Sequence, residues 1–166
     1  LEFRRVLFRS PVFAGNSKGA EVKFCNVEEE YYIRTIKWST IKPADSMSTD
    51  SKPGDLTVAA FAVSNQLDGP QIGLIVSRQI DLGLNDITPG PNSMRETSIT
   101  SFLPEGNLVS VQVTDFDSEK MADLNRAIVG GTGKYFGVKG SVRSQRVKAG
   151  EHSSWKTTYK MILPCQ

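Results

Sequence analysis

The sequence has little of the residue chemistry on which most metal sites and nucleophilic enzymes depend. It contains one histidine and two cysteines among its 166 residues. His152, Cys25 and Cys165 lie far apart in the chain and lack the spacing of metal ligands. A Ser/His/Asp or Cys/His catalytic set would have to use His152, which stands beside Gly150 in a predicted turn. We therefore expect neither a metal site nor such a set.

Clusters of basic residues and long apolar runs are also missing. The formal net charge is +2, and the lysines and arginines are scattered among the acidic residues. A nucleic-acid interface needs basic residues gathered on one face, so we expect no nucleic-acid partner. No apolar run reaches the length of a membrane span, so none is expected. An apolar fraction of 39% and a charged fraction of 23% are typical of a globular protein.

Residues 1–20 differ in character from the rest of the chain. The first ten, LEFRRVLFRS, are basic and apolar without a strand or helix period. We interpret residues 1–20 as a targeting remnant or a translated cloning remnant. The small residues of PVFAGNSKGA are of the kind found around signal cleavage sites, which leaves a secreted or plastid-like location open. The remainder, 21–166, has the length of one domain.

The sequence does contain a series of segments rich in strand-forming residues, in which successive residues fall on two alternate faces. Asp55–Asn65 is largely apolar on both faces, which predicts one face inside a barrel and the other against a second layer or a subunit. In Gln71–Leu82 the polar residues Ser77, Gln79 and Asp81 share one face. Turn residues at regular spacing between such segments indicate about eight strands of a small antiparallel barrel or sandwich.

The remaining predicted strands follow the same pattern. Val22–Trp38 is expected to hold one or two strands, with Glu28–Glu30 as an exposed edge or turn. A short helical turn is expected within Asp117–Arg126. The other predicted strands are Met94–Phe102, Asn107–Asp115, Lys134–Val147 and Ser153–Leu163.

A cluster of glycines in Ala127–Val142, AIVGGTGKYFGVKGSV, is the most distinctive stretch of the chain. Glycine weakens a strand unless the backbone must bend sharply or approach another backbone closely. A phosphate-binding loop would also be rich in glycine, but it requires a helix after the loop. The residues that follow have no helical period, so we interpret the stretch as a barrel corner.

Two stretches resemble the allene oxide cyclase and dirigent families, which share a β-barrel. AIVGGTGKYFGVKGSV is similar to the VGGTG-aromatic segment of dirigent proteins and to the GGSG segment of the cyclases. GDLTVAAFAVSNQLDG, residues 54–69, is similar to the cyclase stretch that runs from Gly-Asp-Leu to Ser-Asn-x-Leu. Dirigent proteins carry paired aspartates where this sequence has Ser64 and Asn65, which favours the cyclases. The resemblance implies an all-β, calycin-like, eight-stranded antiparallel barrel that forms homo-oligomers, dimers or trimers.

The two cysteines are expected to form a disulfide. Cys25 and Cys165 lie near opposite extremities of the chain, where a bridge would tie the two chain termini of a barrel together. Some dirigent proteins tie their termini in this way. Two separate buried thiols are the alternative.

The resemblance implies a catalytic role for Asn65, because cyclases of this kind use an asparagine at that position to hold a water near the epoxide oxygen. A turn-capping asparagine before Asp68-Gly69 is the alternative. The cyclase cysteine falls on or near Gln79, so that part of the cyclase mechanism is absent. Gln79 and Asp81 are further catalytic candidates as hydrogen-bonding groups, with a solvated strand face as the alternative.

Aromatic residues supply the candidates for substrate binding. In a mostly apolar cavity they would form walls or donate a hydroxyl, and ordinary core packing is the alternative for each. The candidates are Tyr32, Trp38, Phe61, Phe102 and Tyr135.

The function expected from these features is a cofactor-free, stereoselective cyclase or isomerase of secondary metabolism. It would bind a small hydrophobic intermediate and direct its ring closure, as allene oxide cyclases do. One alternative is a dirigent-type protein that guides the coupling of radicals made by a separate oxidase. Another is a barrel that binds hydrophobic ligands without catalysis.

Overall fold

The computed structural model describes residues 22–42, 53–82, 94–115, 123–148 and 153–165. The interpretation of residues 1–20 as a remnant lies outside these residues. Within them, eight strands pair in sequence order, each antiparallel to the next, and the last pairs with the first to close a barrel. The strands are β1 (Phe24–Ile41), β2 (Leu56–Ser64), β3 (Gly73–Asp81), β4 (Met94–Leu103), β5 (Gly106–Asp115), β6 (Asp123–Gly131), β7 (Lys139–Lys148) and β8 (Ser154–Pro164). The predicted fold class is therefore confirmed.

The alternation of side chains places alternate residues of each strand inside the barrel. In β2, Ala59, Phe61 and Val63 are buried in the core. In β3, Ser77 and Gln79 are also buried, whereas Arg78 between them is exposed. The sequence predicts that the polar residues of β3 share one face, and that face is the interior of the barrel. Arg78 points the other way because side chains alternate along a strand.

The prediction of an edge or turn at Glu28–Glu30 is wrong, since β1 is one continuous strand of 18 residues. Glu28 and Glu30 lie outside, where β8 places Lys160 and Lys156 beside them at 4.0 and 2.9 Å. Alternation turns Glu29 to the other face. The acidic run is therefore compatible with a strand, because its three carboxylates do not share one side.

A β-bulge in β1 changes which residues face inward. The pairing with β2 shifts by one residue between Thr35 and Lys37. On one side of the bulge Ile33 lies opposite Val63, and on the other Trp38 lies opposite Ala59. Since the strand otherwise alternates strictly, the extra residue brings Trp38 to the same face as Ile33.

At the end of the barrel that holds the start of β1 and the end of β8, called the closed end below, a covalent bond links these two strands. Cys25 and Cys165 form a disulfide with their Cα atoms 5.2 Å apart, which confirms the predicted bridge. The bridge joins residues separated by 140 positions. In the chain-entropy model a loop of that length stabilises the folded state by about 5 kcal/mol.

The glycine-rich stretch forms a corner at the same end, as predicted. After β6 the chain makes a 3₁₀ turn over Gly133–Tyr135 and enters β7 at Lys139, later than the predicted start at Lys134. At Gly140, φ is +156° and a Cβ atom would lie 2.0 Å from the carbonyl oxygen of Lys160. The glycine there is required by the close approach of β8.

The helical turn expected within Asp117–Arg126 is wrong for its described part, because Asp123 already begins β6. The segment 117–122 lies outside the described residues. Among the residues that the structure describes, no helix is long and apolar enough to cross a membrane.

Candidate functional site

A cavity lies inside the barrel, toward the end opposite the disulfide. The volume of this cavity is about 60 Å³. Each of the eight strands contributes at least one residue to its wall. The lining residues are Ile33, Trp38, Phe61, Ile75, Ser77, Gln79, Arg95, Thr97, Ile99, Gln112, Leu124, Arg126, Ser144 and Trp155.

The apolar part of the wall is built around two tryptophans. Trp155 packs edge-on against Phe61, with ring centroids 5.7 Å apart and planes at 87°. This T-shaped arrangement is one that aromatic pairs favour. Trp38 also lines the cavity and is 48% exposed. Because the sequence contains only two tryptophans, both indoles of the protein lie in this cavity.

Arg126 is the most unusual polar residue of the lining. It is 6% exposed, and its Nη2 donates to Oγ of Ser144, which in turn shares a 2.9 Å hydrogen bond with Oγ1 of Thr157. Its Nε has no hydrogen-bond partner. Among the described residues, no carboxylate forms an ion pair with it. Burial lowers the pKa of Arg126, and nearby Tyr159 opposes that shift.

Two more lining residues keep hydrogen-bonding capacity that the protein does not use. Nε2 of Gln79 donates to Oγ of Ser77 over 3.5 Å, while Oε1 of Gln79 is buried without a partner. The indole Nε1 of Trp155 is also buried without a partner. An unsatisfied buried polar group costs about 1–3 kcal/mol, so a ligand that satisfied these atoms would recover part of that cost.

An ion pair stands beside the cavity where β3 and β4 meet. Nε of Arg95 lies 3.8 Å from Oδ2 of Asp81, and both residues are buried. Burial lowers the pKa of Arg95, and the charges of Asp81 and Asp55 work in the opposite direction. Arg95 therefore differs from Arg126 in having acidic neighbours that offset its charge.

Two tyrosines separate the cavity from the closed end of the barrel. The hydroxyl of Tyr159 shares a 3.0 Å hydrogen bond with Oγ of Ser101, and Tyr31 packs edge-on against its ring at 5.9 Å. Burial raises the pKa of Tyr159, so this hydroxyl stays neutral. The lower part of the core is thus filled by side chains and leaves the ligand space above it.

The structure brings three of the predicted site residues together in the cavity. Gln79 contributes an oxygen without a protein partner, Phe61 is a buried part of the wall, and Trp38 is a half-exposed part of it. Their roles in binding or catalysis stay predictions. Asp81 is also inside the barrel but is not among the lining residues, because it turns to Arg95.

The other predicted site residues lie away from the cavity. Asn65 is exposed in the bend after β2, because the strand ends at Ser64, and its catalytic role stays a prediction. Tyr32 lines a shallow surface depression, because it lies on the outer face of β1 before the bulge. Phe102 is 42% exposed on the outer face of β4. Tyr135 is fully buried in the glycine-rich corner, where its hydroxyl bonds to Glu29.

Sequence reasoning missed Arg126 and Trp155. Leu124, Arg126 and Ile128 alternate in β6, and this period of two was the signal that could have placed Arg126 on the inner face. Trp155 has a similar signal, because Thr157 and Tyr159 follow it at the same period in β8. Within the described part of the chain, no group of three or more His, Cys, Asp or Glu residues is placed to hold a metal ion.

No protein-family model matches the sequence, and no curated protein matches it either. Solved structures do share its fold. A pyocyanin demethylase matches with a TM-score of 0.63 at 22% identity, over 81% of this chain and 99% of that chain. A pterocarpan synthase dirigent protein matches with a TM-score of 0.67 at 10% identity, over 88% and 94%.

A Diels–Alderase from Streptomyces koyangensis matches with a TM-score of 0.62 at 16% identity, over 87% of this chain and 70% of that chain. Identities this low show a shared fold and not a shared activity. The expected dirigent-like barrel is therefore supported at the level of the fold. The finer likeness to allene oxide cyclases stays a prediction.

Proposed function

Because the chain has the barrel fold of dirigent proteins and Diels–Alderases, we propose that it is a stereoselective cyclase or isomerase that works without a cofactor. It binds a reactive hydrophobic intermediate in the cavity and directs its ring closure. The observation that carries this proposal is the lining itself. Apolar walls surround three buried polar atoms, on Gln79, Arg126 and Trp155, that have no partner in the protein.

Such a lining suits catalysis by restriction and electrostatics. Holding a flexible substrate in one near-attack shape removes part of the entropic barrier to ring closure. Fixed donors such as Nε of Arg126 and Nε1 of Trp155 stabilise negative charge that develops on a substrate oxygen. The described residues that line the cavity include no Asp, Glu, His or Cys. The wall therefore offers shape and donors in place of a general base or a nucleophile.

The size of the cavity sets a condition on this proposal. Space of about 60 Å³ is less than a ring-forming substrate occupies. Trp38 is 48% exposed, so it is the lining residue that we propose rotates to admit a larger ligand. We expect the substrate to enter past Trp38 and to rest against Phe61 and Trp155.

A dirigent-type role is the second candidate. The likeness to a pterocarpan synthase dirigent protein and the Cys25–Cys165 bridge favour it. Ser64 and Asn65 disfavour it, because they replace the aspartate pair that the dirigent resemblance would require. A barrel that only binds ligands is the third candidate.

The test is product analysis with a variant whose cavity is filled. Candidate polyene and epoxide substrates are incubated with the wild type, with Ser77→Leu, and without protein, and the products are resolved by chiral chromatography. Ser77 is buried in the wall, whereas Ser98 lies on the outer face of the next strand, so Ser98→Leu is the matched control.

The three candidates give different results. A cyclase changes the rate or the enantiomeric ratio on its own, and only S77L abolishes the effect. A dirigent-type protein changes the ratio only when a phenol is supplied together with an oxidase that converts it to radicals. Unchanged rate and ratio under both conditions would contradict both roles and leave ligand binding. The predicted homo-oligomer, a dimer or trimer, is checked separately by light scattering.

A further inference from the structure

We propose that Arg126 anchors an anionic oxygen of the ligand, in the simplest case a carboxylate attached to an apolar chain or ring. This inference rests on the proposed ligand-binding role of the cavity and names the chemical class of its ligand. Arg126 is 6% exposed, lines the cavity, and has an Nε donor without a partner.

The absence of a neutralising partner is what separates Arg126 from a structural arginine. A buried charge is costly unless it is paired, and proteins rarely keep one without a use. The protein groups around Arg126 are hydroxyls, namely Ser144 and, through it, Thr157 and the nearby Tyr159. Among the described residues no carboxylate pairs with it. Arg95, the other arginine of the wall, is paired with Asp81.

The shape of the guanidinium defines what it can hold. Nη2 already donates to Ser144, and Nε has no partner in the protein, so Nε is the donor that we assign to the ligand. Arginine is the residue best suited to bind carboxylates and similar oxyanions in a dry site. The apolar residues Phe61, Ile75 and Ile99 line the same cavity, so the rest of the ligand is apolar.

Both tryptophans lie in the cavity, so intrinsic fluorescence reports its occupancy directly. The probes are octanoate, 1-octanol and octanamide, which share an apolar chain and do not absorb where tryptophan emits. At neutral pH we expect octanoate to bind about tenfold or more tightly than the two neutral probes, because its oxygens complete a charge-assisted hydrogen bond.

Variants test whether Arg126 is the cause. Arg126→Met should remove the preference for octanoate, Arg126→Lys should keep most of it, and Arg143→Met should not change it. Arg143 is the control because it pairs with Asp123 on the exposed surface. Arg126→Met should also raise the melting temperature, since it removes an unpaired buried charge. A purely structural arginine would lower it.

The outcomes separate this inference from the proposed function. Equal binding of the three probes, failure of octanoate to bind, or a preference that survives in R126M would overturn the anchor. In each of these cases the product assay with wild type and S77L would still test the proposed cyclase function. Conversely, a preference for octanoate that depends on Arg126 supports the anchor even where no product is steered.

Discussion

The hydroxyl of Tyr135 donates a hydrogen bond to Oε2 of Glu29 over 2.7 Å and so ties the glycine-rich corner to the inner face of β1. The same carboxylate accepts hydrogen bonds from Tyr31 and Lys134, each at 3.0 Å. Two residues that are 106 positions apart in the chain thereby become neighbours in the closed end of the barrel. The conspicuous motif of the sequence is a structural joint, and it lies away from the ligand cavity.

Loss of this hydrogen bond should destabilise the barrel. Tyr135→Phe removes one donor to Glu29 and leaves a partly buried carboxylate less well satisfied. We expect the free energy of unfolding to fall by about 1–3 kcal/mol, measured by urea denaturation. Tyr32→Phe is the control, because that ring lies at a surface depression. Equal effects of the two variants would contradict the assigned role of Tyr135.

Stability should also depend on pH through Glu29. Burial raises the pKa of Glu29, but the hydrogen bonds from Tyr135, Lys134 and Tyr31 outweigh it and hold the pKa below its usual value of 4.5. The folded state therefore binds fewer protons than the unfolded chain in this range. The contribution is fully present above pH 4.5 and is lost as the pH falls through the lower, folded pKa.

The measurement is the free energy of unfolding as a function of pH for the wild type and Glu29→Gln. The wild type should lose stability below pH 4.5 more steeply than the variant. Glu30→Gln, which removes an exposed carboxylate paired with Lys156, controls for the general loss of an acidic group. Parallel curves for the wild type and E29Q would show that Glu29 does not carry the effect.

Filling the cavity should block binding while the fold persists. Ser77→Leu places a larger side chain into the space beside Gln79, and overpacking of a core costs about 1–3 kcal/mol. We expect the change in tryptophan fluorescence on addition of octanoate to disappear in S77L, with an unchanged circular dichroism spectrum. Ser98→Leu, on the outer face, should bind as the wild type does. Binding that persists in S77L would place the ligand elsewhere.

The glycines of the corner should differ sharply in their tolerance of substitution. A Cβ atom at Gly140 would lie 2.0 Å from a carbonyl oxygen of β8, whereas a Cβ at Gly130 would meet no atom within 4 Å. Gly140→Ala should therefore lower stability by several times as much as Gly130→Ala, on the order of 2–4 kcal/mol against less than about 1. Similar losses in thermal denaturation would contradict the assigned close approach of β7 and β8.

The sequence predicts the barrel well because its strands carry their own signals. Gln71–Leu82, with Ser77 and Gln79 on one face, needs only the period of two to place those side chains inside. The bulge between Thr35 and Lys37 has no such signal, because it contains neither glycine nor proline. Since one inserted residue reverses the faces, no local rule could tell that Trp38 lies inside and Tyr32 outside.

The site was harder to predict because it depends on the residue at which each strand ends and on contacts between side chains of different strands. Asn65 continues the inward face of β2 in the sequence, but the strand ends one residue earlier and the side chain meets solvent. Arg126 is charged, and a charged residue in a strand is ordinarily expected outside. Its burial is set by Ser144 and Thr157 on two other strands, which lie far away in the chain.

The pairing of β8 with β1 has a consequence for how this protein can change its specificity. A ring of eight strands has no free edge, and its diameter is set by strand number and stagger. The wall is held by hydrogen bonds on both sides of each strand except at the cavity end of β5 and β6, which pair only over 108–111 and 127–131. New ligands are therefore accommodated by exchanging side chains such as Trp38, Ser77 and Leu124, or by separation of β5 from β6 at this end.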